Sequence, residues 1–394
     1  MDSTLVILSP LRGLRLPNGN ILLTEKFIDG MKLYRELWKG PVLHLCEPAD
    51  APSHNLDNME IPPNSSEFDT VCAPFTNDFF RSRLPRNSLV VTSVGQKFNS
   101  VSRICKALGL PCIYIAEYTL KTRHQQISET RADPIRKLWR KLRETQQEHS
   151  QRSAIALASG IQCNGLPTFL AYKELTSKPH LFFDTRVTSD MLATPDQVSK
   201  RFQNRIGKKL RLTFSGRLTL IKGVDDLILV ARHLRSLLDD WFELSICGDG
   251  DYAEQLRRDI AASGLADLVI LRGNMDFKTE LVPFLREQTD IFVCCHRQGD
   301  PSCTYLETMS CGVPIVGYDN EAWSTLSDYS RTGIRVKMRD TRSMAERIAK
   351  LASSEYAIES SSLEALKFAT DHTFERTFRR RVEHFKEVAE SQAT

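Results

Sequence analysis

The feature that most constrains this fold is a repeated alternation of short apolar runs with longer segments of helical period. The short runs predict buried strands, and the amphipathic segments between them predict crossover helices. Alternation of this kind is typical of α/β proteins with parallel sheets. At 394 residues the chain exceeds the size of a single hydrophobic core, so the sequence predicts two such domains.

The first half of the chain shows this alternation from its start. Apolar runs predict strands at residues 5–9, 42–46, 89–94, 112–117 and 180–183. Amphipathic segments predict helices at residues 21–37 and 98–108. Gly109 follows the second of these helices in the position of a C-cap.

Beyond residue 210 the alternation restarts with a clearer pattern. The predicted strands lie at residues 212–215, 243–247, 268–271, 291–295 and 314–317. The predicted helices lie at residues 224–238, 253–263, 279–287, 304–310 and 341–353. A polar stretch without sustained period, residues 184–207, separates the two sets. We therefore predict one domain over residues 1–195, a second over 196–370, and a C-terminal helix in 371–394 that packs back on the first domain.

The bulk composition excludes several classes of protein. Hydrophobic residues at 41% and charged residues at 26% are ordinary for a soluble globular chain, and a net charge of +4 is too small for a dedicated nucleic-acid binder. The ten cysteines include no CxxC pair, which predicts buried reduced thiols rather than a metal site. No apolar run is long enough to span a membrane and no signal peptide is evident, so we predict a cytoplasmic protein.

Residues 215–223 read Ser-Gly-Arg-Leu-Thr-Leu-Ile-Lys-Gly and lie between a predicted strand and a predicted helix. Gly216 and Gly223 allow tight turns at the two ends of this loop. Arg217 and Lys222 would project from the carboxyl edge of the sheet. There an arginine can bind a diphosphate as a fork and a lysine as a point charge. The alternative is a pair of solvated cations on a loop.

A second stretch with chemical potential runs from a buried strand through a polar loop into a short helix that ends at Gly312. The helix N-terminus offers free N–H groups and the positive end of the helix dipole to a phosphate. Glu307 lies one turn into this helix, where a carboxylate can accept hydrogen bonds from a ribose diol. It could equally be an ordinary helix-surface carboxylate.

Two common nucleotide-binding signatures are absent from the sequence. Neither GxGxxG nor GxxxxGK[ST] occurs, which argues against nicotinamide dehydrogenases and P-loop enzymes. Residues 248–251, Gly-Asp-Gly-Asp, follow a strand and are predicted to form a structural turn rather than a phosphate loop.

Three motifs together carry a resemblance to a known family. Gly-Arg-Leu-x(3)-Lys-Gly, then Gly-Asp-Gly, then Glu-x-x-x-Cys-Gly-Val-Pro resemble the retaining GT-B glycosyltransferases of glycosyltransferase family 4. The resemblance is specific over roughly residues 210–355 and weak over the first half. It implies two Rossmann-like domains facing each other across a cleft, with the acceptor site on the first and the nucleotide-sugar site on the second.

The resemblance also implies a reaction and roles for individual residues. A sugar would move with retention from a nucleoside-diphosphate sugar to a glycan, lipid-linked or small-molecule acceptor, without a metal or other cofactor. Arg217 and Lys222 would stabilise the diphosphate as its charge rises on leaving. Glu307 would hold the ribose. The donor would also touch Gly19, Gly216, Asn274, Met275, Ser302, Cys303 and Thr304. Gly19 matches a family glycine loop only as a single glycine, so a plain turn remains the alternative.

One departure from the family pattern concerns its first glutamate, which contacts the donor sugar. Gly299 stands at that position, and Asp300 is the nearest carboxylate and would act as the catalytic substitute. On the acceptor side, His296 would line the sugar pocket and Glu117 would orient the acceptor. Two alternatives stay open: a nucleotide-sugar epimerase and, because of Gly299, a catalytically silent GT-B homologue acting as a binding subunit.

Residues 135–143 combine apolar residues at helical spacing with dense cations. A basic amphipathic helix that carries tryptophan can lie on anionic lipid, which would suit a lipid-linked acceptor. This predicts peripheral contact with the inner face of a membrane. The alternative is a solvated charged face.

Overall fold

The computed structural model describes residues 3–52, 58–65, 67–130, 132–205 and 207–391. The chain divides into two compact units. The first comprises Met1–Leu120, Leu138–Phe182 and Glu375–Thr394, and the second comprises Lys121–Lys137 and Phe183–Phe374. Each unit is built around its own parallel sheet, so the predicted class of two α/β domains is confirmed.

The strands of the described residues make three sheets. In chain order the strands are β1 (Thr4–Leu8), β2 (Leu14–Arg15), β3 (Ile21–Thr24), β4 (Val42–Cys46), β5 (Asn58–Ile61), β6 (Asp69–Cys72), β7 (Ser88–Ser93), β8 (Cys112–Ala116), β9 (Gly160–Asn164), β10 (Pro179–Phe182), β11 (Leu210–Ser215), β12 (Phe242–Cys247), β13 (Val269–Gly273), β14 (Ile291–Cys294), β15 (Ile315–Tyr318) and β16 (Ile334–Val336).

The first unit contains a seven-stranded sheet in the order β10-β9-β8-β7-β1-β4-β6, with every pair parallel. A small antiparallel sheet, β2-β3-β5, accompanies it. The second unit contains six parallel strands in the order β13-β12-β11-β14-β15-β16. The neighbours β11 and β14 lie at its centre, so loops that leave their carboxyl ends are adjacent.

The helices connect these strands. They are α1 (Glu25–Leu37), α2 (Asn77–Arg83), α3 (Val101–Leu108), α4 (Leu120–Ser128), α5 (Pro134–Ala156), α6 (Leu166–Tyr172), α7 (Pro195–Gln203), α8 (Val224–Leu238), α9 (Ala253–Ser263), α10 (Val282–Gln288), α11 (Cys303–Ser310), α12 (Glu321–Ser330), α13 (Thr341–Ala352), α14 (Glu355–Thr370) and α15 (Phe374–Glu390). None of the described helices is long and apolar enough to cross a membrane.

Each of the two parallel sheets packs in a core made mostly of apolar side chains. Leu212, Phe214, Leu244 and Ile246 of the second unit are at most 1% exposed. Strands covered on both faces by helices need such continuous apolar runs. Full burial of each of these side chains stabilises the fold by about 1.5–3 kcal/mol. The sheet edge that carries the loops described below is therefore rigidly supported.

Three predicted helix starts are wrong, and of these α3 begins at Val101 rather than at residue 98. Residues 21–24 form the strand β3 and the helix α1 begins only at Glu25. The apolar run Ile-Leu-Leu fits either structure, and the turn at Asn18 and Gly19 turns the chain back into a hairpin with β2. The helix predicted at 279–287 is preceded by a wide turn, Phe277–Leu281, which is capped by the Asp276 side chain, and its regular part is Val282–Gln288.

The helices α7 and α15 lie outside the two predicted sets of alternating strands and helices. The helix α7 lies in the stretch that lacks a sustained period, and its signal was the capping box of Thr194 and Gln197 with Pro195 at the first position. The helix α15 packs within the first unit, where Phe378 contacts Tyr34 and Arg381 donates to Gln162. All ten cysteines are free thiols.

Candidate functional site

The loop from Gly216 to Gly223 leaves the carboxyl end of β11 and leads into α8. Gly223 adopts φ +67°, and a Cβ there would lie 2.0 Å from the carbonyl oxygen of Cys295. Only glycine fits so close to another backbone. The helix α8 begins directly after Gly223, at Val224. The glycine therefore joins the loop after β11 to the loop after β14.

The turn at residues 248–251 supports the same loop from its other side. A Cβ at Gly248 would lie 2.0 Å from the carbonyl oxygen of Gly216, and one at Gly250 would lie 2.7 Å from that of Leu218. The amide of Leu218 donates to the carbonyl of Asp249 at 2.9 Å. The prediction of a structural turn at 248–251 agrees with these contacts.

Lys222 and Asp300 meet at this edge of the sheet. The Lys222 Nζ lies 3.3 Å from Asp300 Oδ2, and the two side chains are only 9% and 14% exposed. The second carboxylate oxygen, Oδ1, is buried and accepts no hydrogen bond from the described residues. A buried acceptor without a partner is unusual in a native structure and marks a place where a ligand group could bind.

Arg217 differs from Lys222 in its surroundings. Its side chain is exposed, and its guanidinium makes no ion pair or hydrogen bond with the described residues. The structure therefore places both predicted cations on one loop. The buried Lys222 is neutralised by Asp300, whereas the exposed Arg217 has no acidic partner among the described residues.

Arg297 is a residue of this site that the sequence analysis missed. Its amide donates to Ile221 and its guanidinium donates to the carbonyl of Leu220, both at 3.0 Å. The guanidinium also bonds the carboxylates of Asp225 and Asp226, at 2.7 and 2.8 Å. Burial alone would lower the pKa of Arg297, but these hydrogen bonds outweigh it and raise the pKa. Arg297 therefore fixes the loop that carries Lys222 to the start of α8.

Gly299 is enclosed by neighbouring elements. Its N–H donates to Gln125 Oε1 at 3.0 Å, and its carbonyl accepts from Thr122 Oγ1 at 3.1 Å. A Cβ at this position would lie 2.7 Å from the Cβ of Glu321. A glutamate cannot occupy position 299 unless this packing changes. The glycine that replaces the first family glutamate is therefore required by the close packing of α4 and α12 around this loop.

His296 lies in the interior of the second unit, directly after β14. Its ring contacts Phe214 and Tyr305 at centroid distances of 6.0 and 5.9 Å, and its carbonyl accepts from Asn320 at 3.0 Å. Both ring nitrogens are buried and have no partner among the described residues. Burial, and secondly the charge of Lys222, holds the pKa of His296 well below its usual value, so the ring is neutral.

The loop that carries His296, Gly299 and Asp300 ends at the N-terminus of the helix α11. Ser302 is the N-cap residue without a side-chain cap, and Cys303 and Thr304 are partly exposed in the first turn. The first N–H groups of a helix have no intrahelical partner, so they are available to an anion. This is the environment predicted for the donor phosphates.

Glu307 projects from α11 into a contact that the sequence did not reveal. It is 4% exposed, and its Oε1 accepts from Arg186 Nε at 2.8 Å. The Arg186 guanidinium in turn lies 3.6 Å from the ring centroid of Phe277. Glu307 is thus a buried carboxylate with a cationic partner. Its Oε2 accepts no hydrogen bond from the described residues and could accept a ribose hydroxyl.

The remaining predicted donor contacts follow β13. Asn274 is exposed and Met275 is partly exposed, and both precede Phe277 in the chain. They share the carboxyl edge of the second sheet with the loop after β11. Arg272, at the end of the strand, is held by Glu243 at 3.1 Å.

Two predicted site residues belong to the first unit. Gly19 forms the hairpin turn between β2 and β3, with φ +85° and its amide donating to Leu16 at 2.9 Å. Glu117 follows β8 and accepts a hydrogen bond from Asn164 at 3.0 Å. Gly19 therefore has the conformation of a turn glycine, and Glu117 is oriented by a residue that ends the next strand of the sheet.

The described residues contain no cluster of three or more histidine, cysteine, aspartate or glutamate side chains that could hold a metal ion. The polar groups gathered at the second sheet are instead suited to an anion with hydroxyl groups.

Comparison with known proteins shows what this chain is similar to. Residues 196–366 match the family of glycosyl transferases group 1. All of the matched residues lie in the second unit. Among similar curated proteins, a GDP-mannose-dependent alpha-(1-6)-phosphatidylinositol monomannoside mannosyltransferase of Mycobacterium tuberculosis is 26% identical over 162 residues, or 39% of this chain and 41% of its own length. The alpha-D-kanosaminyltransferase of Streptomyces kanamyceticus is 28% identical over 169 residues, or 42% of this chain and 43% of its own length. The chain thus spans about two fifths of the length of these curated relatives.

Solved structures extend the likeness of fold to the whole chain. Anabaena HepE in complex with UDP superposes with a TM-score of 0.69 at 13% identity, covering 98% of this chain and 99% of that one. The sucrose-phosphate synthase of Thermosynechococcus elongatus gives a TM-score of 0.66 at 12% identity, covering 98% and 100%. The matched segment therefore lies in a chain whose two-domain α/β fold is that of GT-B glycosyltransferase structures.

Proposed function

We propose that this chain is a glycosyltransferase that moves a sugar, with retention of configuration, from a nucleoside-diphosphate sugar to a hydroxyl acceptor. In this proposal the second domain, over residues 196–370, binds the donor. The first domain, over residues 1–195, binds a glycan, lipid-linked or small-molecule acceptor. Nothing in the chemistry requires a metal ion.

One observation carries the proposal. Buried polar atoms that have no partner among the described residues lie around a buried cation at the sheet edge: both ring nitrogens of His296, and Oδ1 of Asp300 beside Lys222. Each such atom costs free energy unless a ligand completes its hydrogen bonds. A sugar diphosphate offers hydroxyl groups to the carboxylate and imidazole, and phosphate oxygens to the ammonium.

The group 1 domain and the solved neighbours support the nature of the ligand. Structures of Anabaena HepE contain UDP, UDP with glucose, and UDP-glucose. By analogy, a nucleoside diphosphate would bind this chain with its phosphates at Arg217, Lys222 and the first turn of α11. Glu307 would then accept a ribose hydroxyl through Oε2, and the base would lie beside Asn274 and Met275.

The chemical step follows from this placement. The bond between the anomeric carbon and the diphosphate oxygen breaks, and the acceptor oxygen bonds to the same carbon on the same face. The acceptor proton passes to the leaving phosphate oxygen, so no protein nucleophile is needed. Arg217 and Lys222 interact more strongly as charge builds on the leaving diphosphate, and this difference lowers the barrier.

The test is calorimetric titration with UDP, GDP and their hexose conjugates, followed by assay of transfer to added acceptors. We expect Arg217→Ala to weaken nucleoside-diphosphate binding about ten- to hundredfold, because a charged hydrogen bond contributes about 1.5–3 kcal/mol. Arg217 is exposed and pairs with none of the described residues, so its removal should leave the fold intact.

Arg232→Ala is the matched control, since this exposed arginine lies on the same unit, in α8. Equal affinities in the two variants, or no binding of any nucleoside diphosphate, would refute the donor site. Binding without transfer would instead favour a silent homologue. Epimerised donor in the absence of acceptor would favour an epimerase.

A further inference from the structure

The helix α5 carries an apolar stripe at its start. Ile135, Leu138, Trp139 and Leu142 follow the spacing i, i+3, i+4, i+7 and so share one face of the helix. Their exposed fractions are 68%, 59%, 68% and 49%. A surface helix ordinarily buries such a stripe against the protein core. Here the stripe faces outward.

The opposite face of the helix is the one turned toward the protein. Lys137 and Lys141 are partly buried, and the Lys137 ammonium donates to the carbonyl of Ser128 at 2.8 Å. Farther along, the helix is anchored by Gln151, 3% exposed, and Ile155, 0% exposed. Over the first two turns of α5, the apolar side chains therefore face outward and two lysines face the protein. An outward apolar stripe with tryptophan indicates a surface built to be covered.

The charges beside the stripe indicate what covers it. Arg136, Arg140 and Arg143 follow the spacing i, i+4, i+7 and line one flank of the stripe. No acidic residue occurs between positions 134 and 143. Arg140 makes no ion pair with the described residues, and Arg136 pairs only with the neighbouring Asp133, at 3.2 Å. This combination of an apolar strip and an arginine row complements a surface with negative charges above an apolar interior.

We propose that the 135–143 face of α5 docks on an anionic membrane surface. The stripe inserts among the upper acyl chains, and the arginine row contacts lipid phosphates. The helix then lies in the plane of the interface rather than crossing the bilayer. The inference rests on α5 alone and does not depend on the proposed transferase function.

Cosedimentation of the full chain with vesicles tests the proposal. We expect binding to phosphatidylcholine vesicles that contain about 30% phosphatidylglycerol, weak binding to pure phosphatidylcholine, and loss of binding in about 0.5 M salt. Trp139→Ser with Leu142→Ser should lower the partition coefficient at least tenfold. Arg136→Gln with Arg140→Gln should lower it roughly 25-fold, since each cation near an anionic surface contributes about a factor of five.

Matched controls come from exposed residues elsewhere. Tyr356→Ser with Leu170→Ser removes side chains that are 81% and 56% exposed, and Arg257→Gln with Arg258→Gln removes two cations of α9 that are 63–65% exposed. Both controls should bind vesicles like the wild type. Circular dichroism verifies that every variant keeps its helices.

Three results would overturn the proposal. The first is that the wild type does not sediment with anionic vesicles at low salt. The second is that stripe and arginine variants bind no differently from their controls. The third is that light scattering finds an oligomer that the stripe variants convert to a monomer, because the face then joins copies of this chain.

Discussion

Replacing Asp300 with asparagine removes the negative charge that faces Lys222 while keeping the size of the side chain. At the observed distance of 3.3 Å between Nζ and Oδ2, the attraction is about 5 kcal/mol at an effective dielectric constant of about 20. Desolvation of both charges offsets part of this, but removal of one partner strands the other in a buried place. We therefore expect Asp300→Asn to lower the free energy of unfolding of the unliganded protein by about 3 kcal/mol.

The same variant should bind nucleoside diphosphates more tightly than the wild type. A diphosphate brings the negative charge that the variant lacks, so binding relieves a cost that the wild type does not carry. We expect a gain in affinity of about tenfold, or about 1.4 kcal/mol. Lys222→Ala should do the opposite and lose at least about hundredfold, because Asp300 then stands unpaired near the phosphates.

Urea unfolding and calorimetric titration with UDP and GDP measure these two effects. Asp328→Asn is the control, because this aspartate pairs with Arg335 at 2.8 Å at 65% exposure. It should change stability by less than about 1 kcal/mol and leave affinity unchanged. Loss of affinity for UDP and GDP in Asp300→Asn comparable to that in Lys222→Ala would refute the reasoning, since Asp300 would then hold the diphosphate rather than compete with it for Lys222.

Three further predictions concern the surroundings of the site and the first unit. Gly299→Ala should lower the free energy of unfolding by about 1–3 kcal/mol, because its Cβ would lie 2.7 Å from that of Glu321; urea unfolding should find less loss when Glu321→Gly is added. Arg186→Ala should cost about 2 kcal/mol in the same assay, as it strands the buried carboxylate of Glu307, and Arg186→Lys should restore part of that loss. Burial lowers the pKa of His44 to about 3, so between about pH 6.5 and pH 3 the unfolded chain binds more protons than the folded one. The free energy of unfolding should therefore fall by up to about 1.4 kcal/mol per pH unit as the pH is lowered through this range. Urea unfolding at several pH values should show a weaker pH dependence of stability in His44→Leu.

Much of the fold could be predicted because local signals agreed with the final structure. The predicted bounds of Val42–Cys46, Val224–Leu238 and Ala253–Ser263 match the observed ones. Glycines or polar turns bracket each of these segments, so the hydrophobic periodicity and the turn residues predicted the same start and end. Where they disagreed, as at Ile21–Thr24, an apolar run alone could not separate strand from helix.

The site was predictable only in part, and for a related reason. The loop that carries Lys222 could be predicted from Gly216 and Gly223, because a glycine affects the backbone at its own position. Its pairing with Asp300 depends on β11 and β14 being neighbours, which no local pattern encodes. The contact of Gln125 with Gly299 joins residues 174 positions apart, and the four bonds of Arg297 likewise depend on tertiary packing.

The glycine contacts of the loop after β11 have a consequence for altering this protein. Gly223 and Gly248 place main chain directly against main chain, so the geometry of that loop is independent of which side chains decorate the edge. Side chains that could distinguish one ligand from another, such as Asn274 and Met275, lie outside those contacts. A library confined to these outer positions could change ligand preference without disturbing the frame that holds it. A library that includes the two glycines would mostly sample misfolded chains.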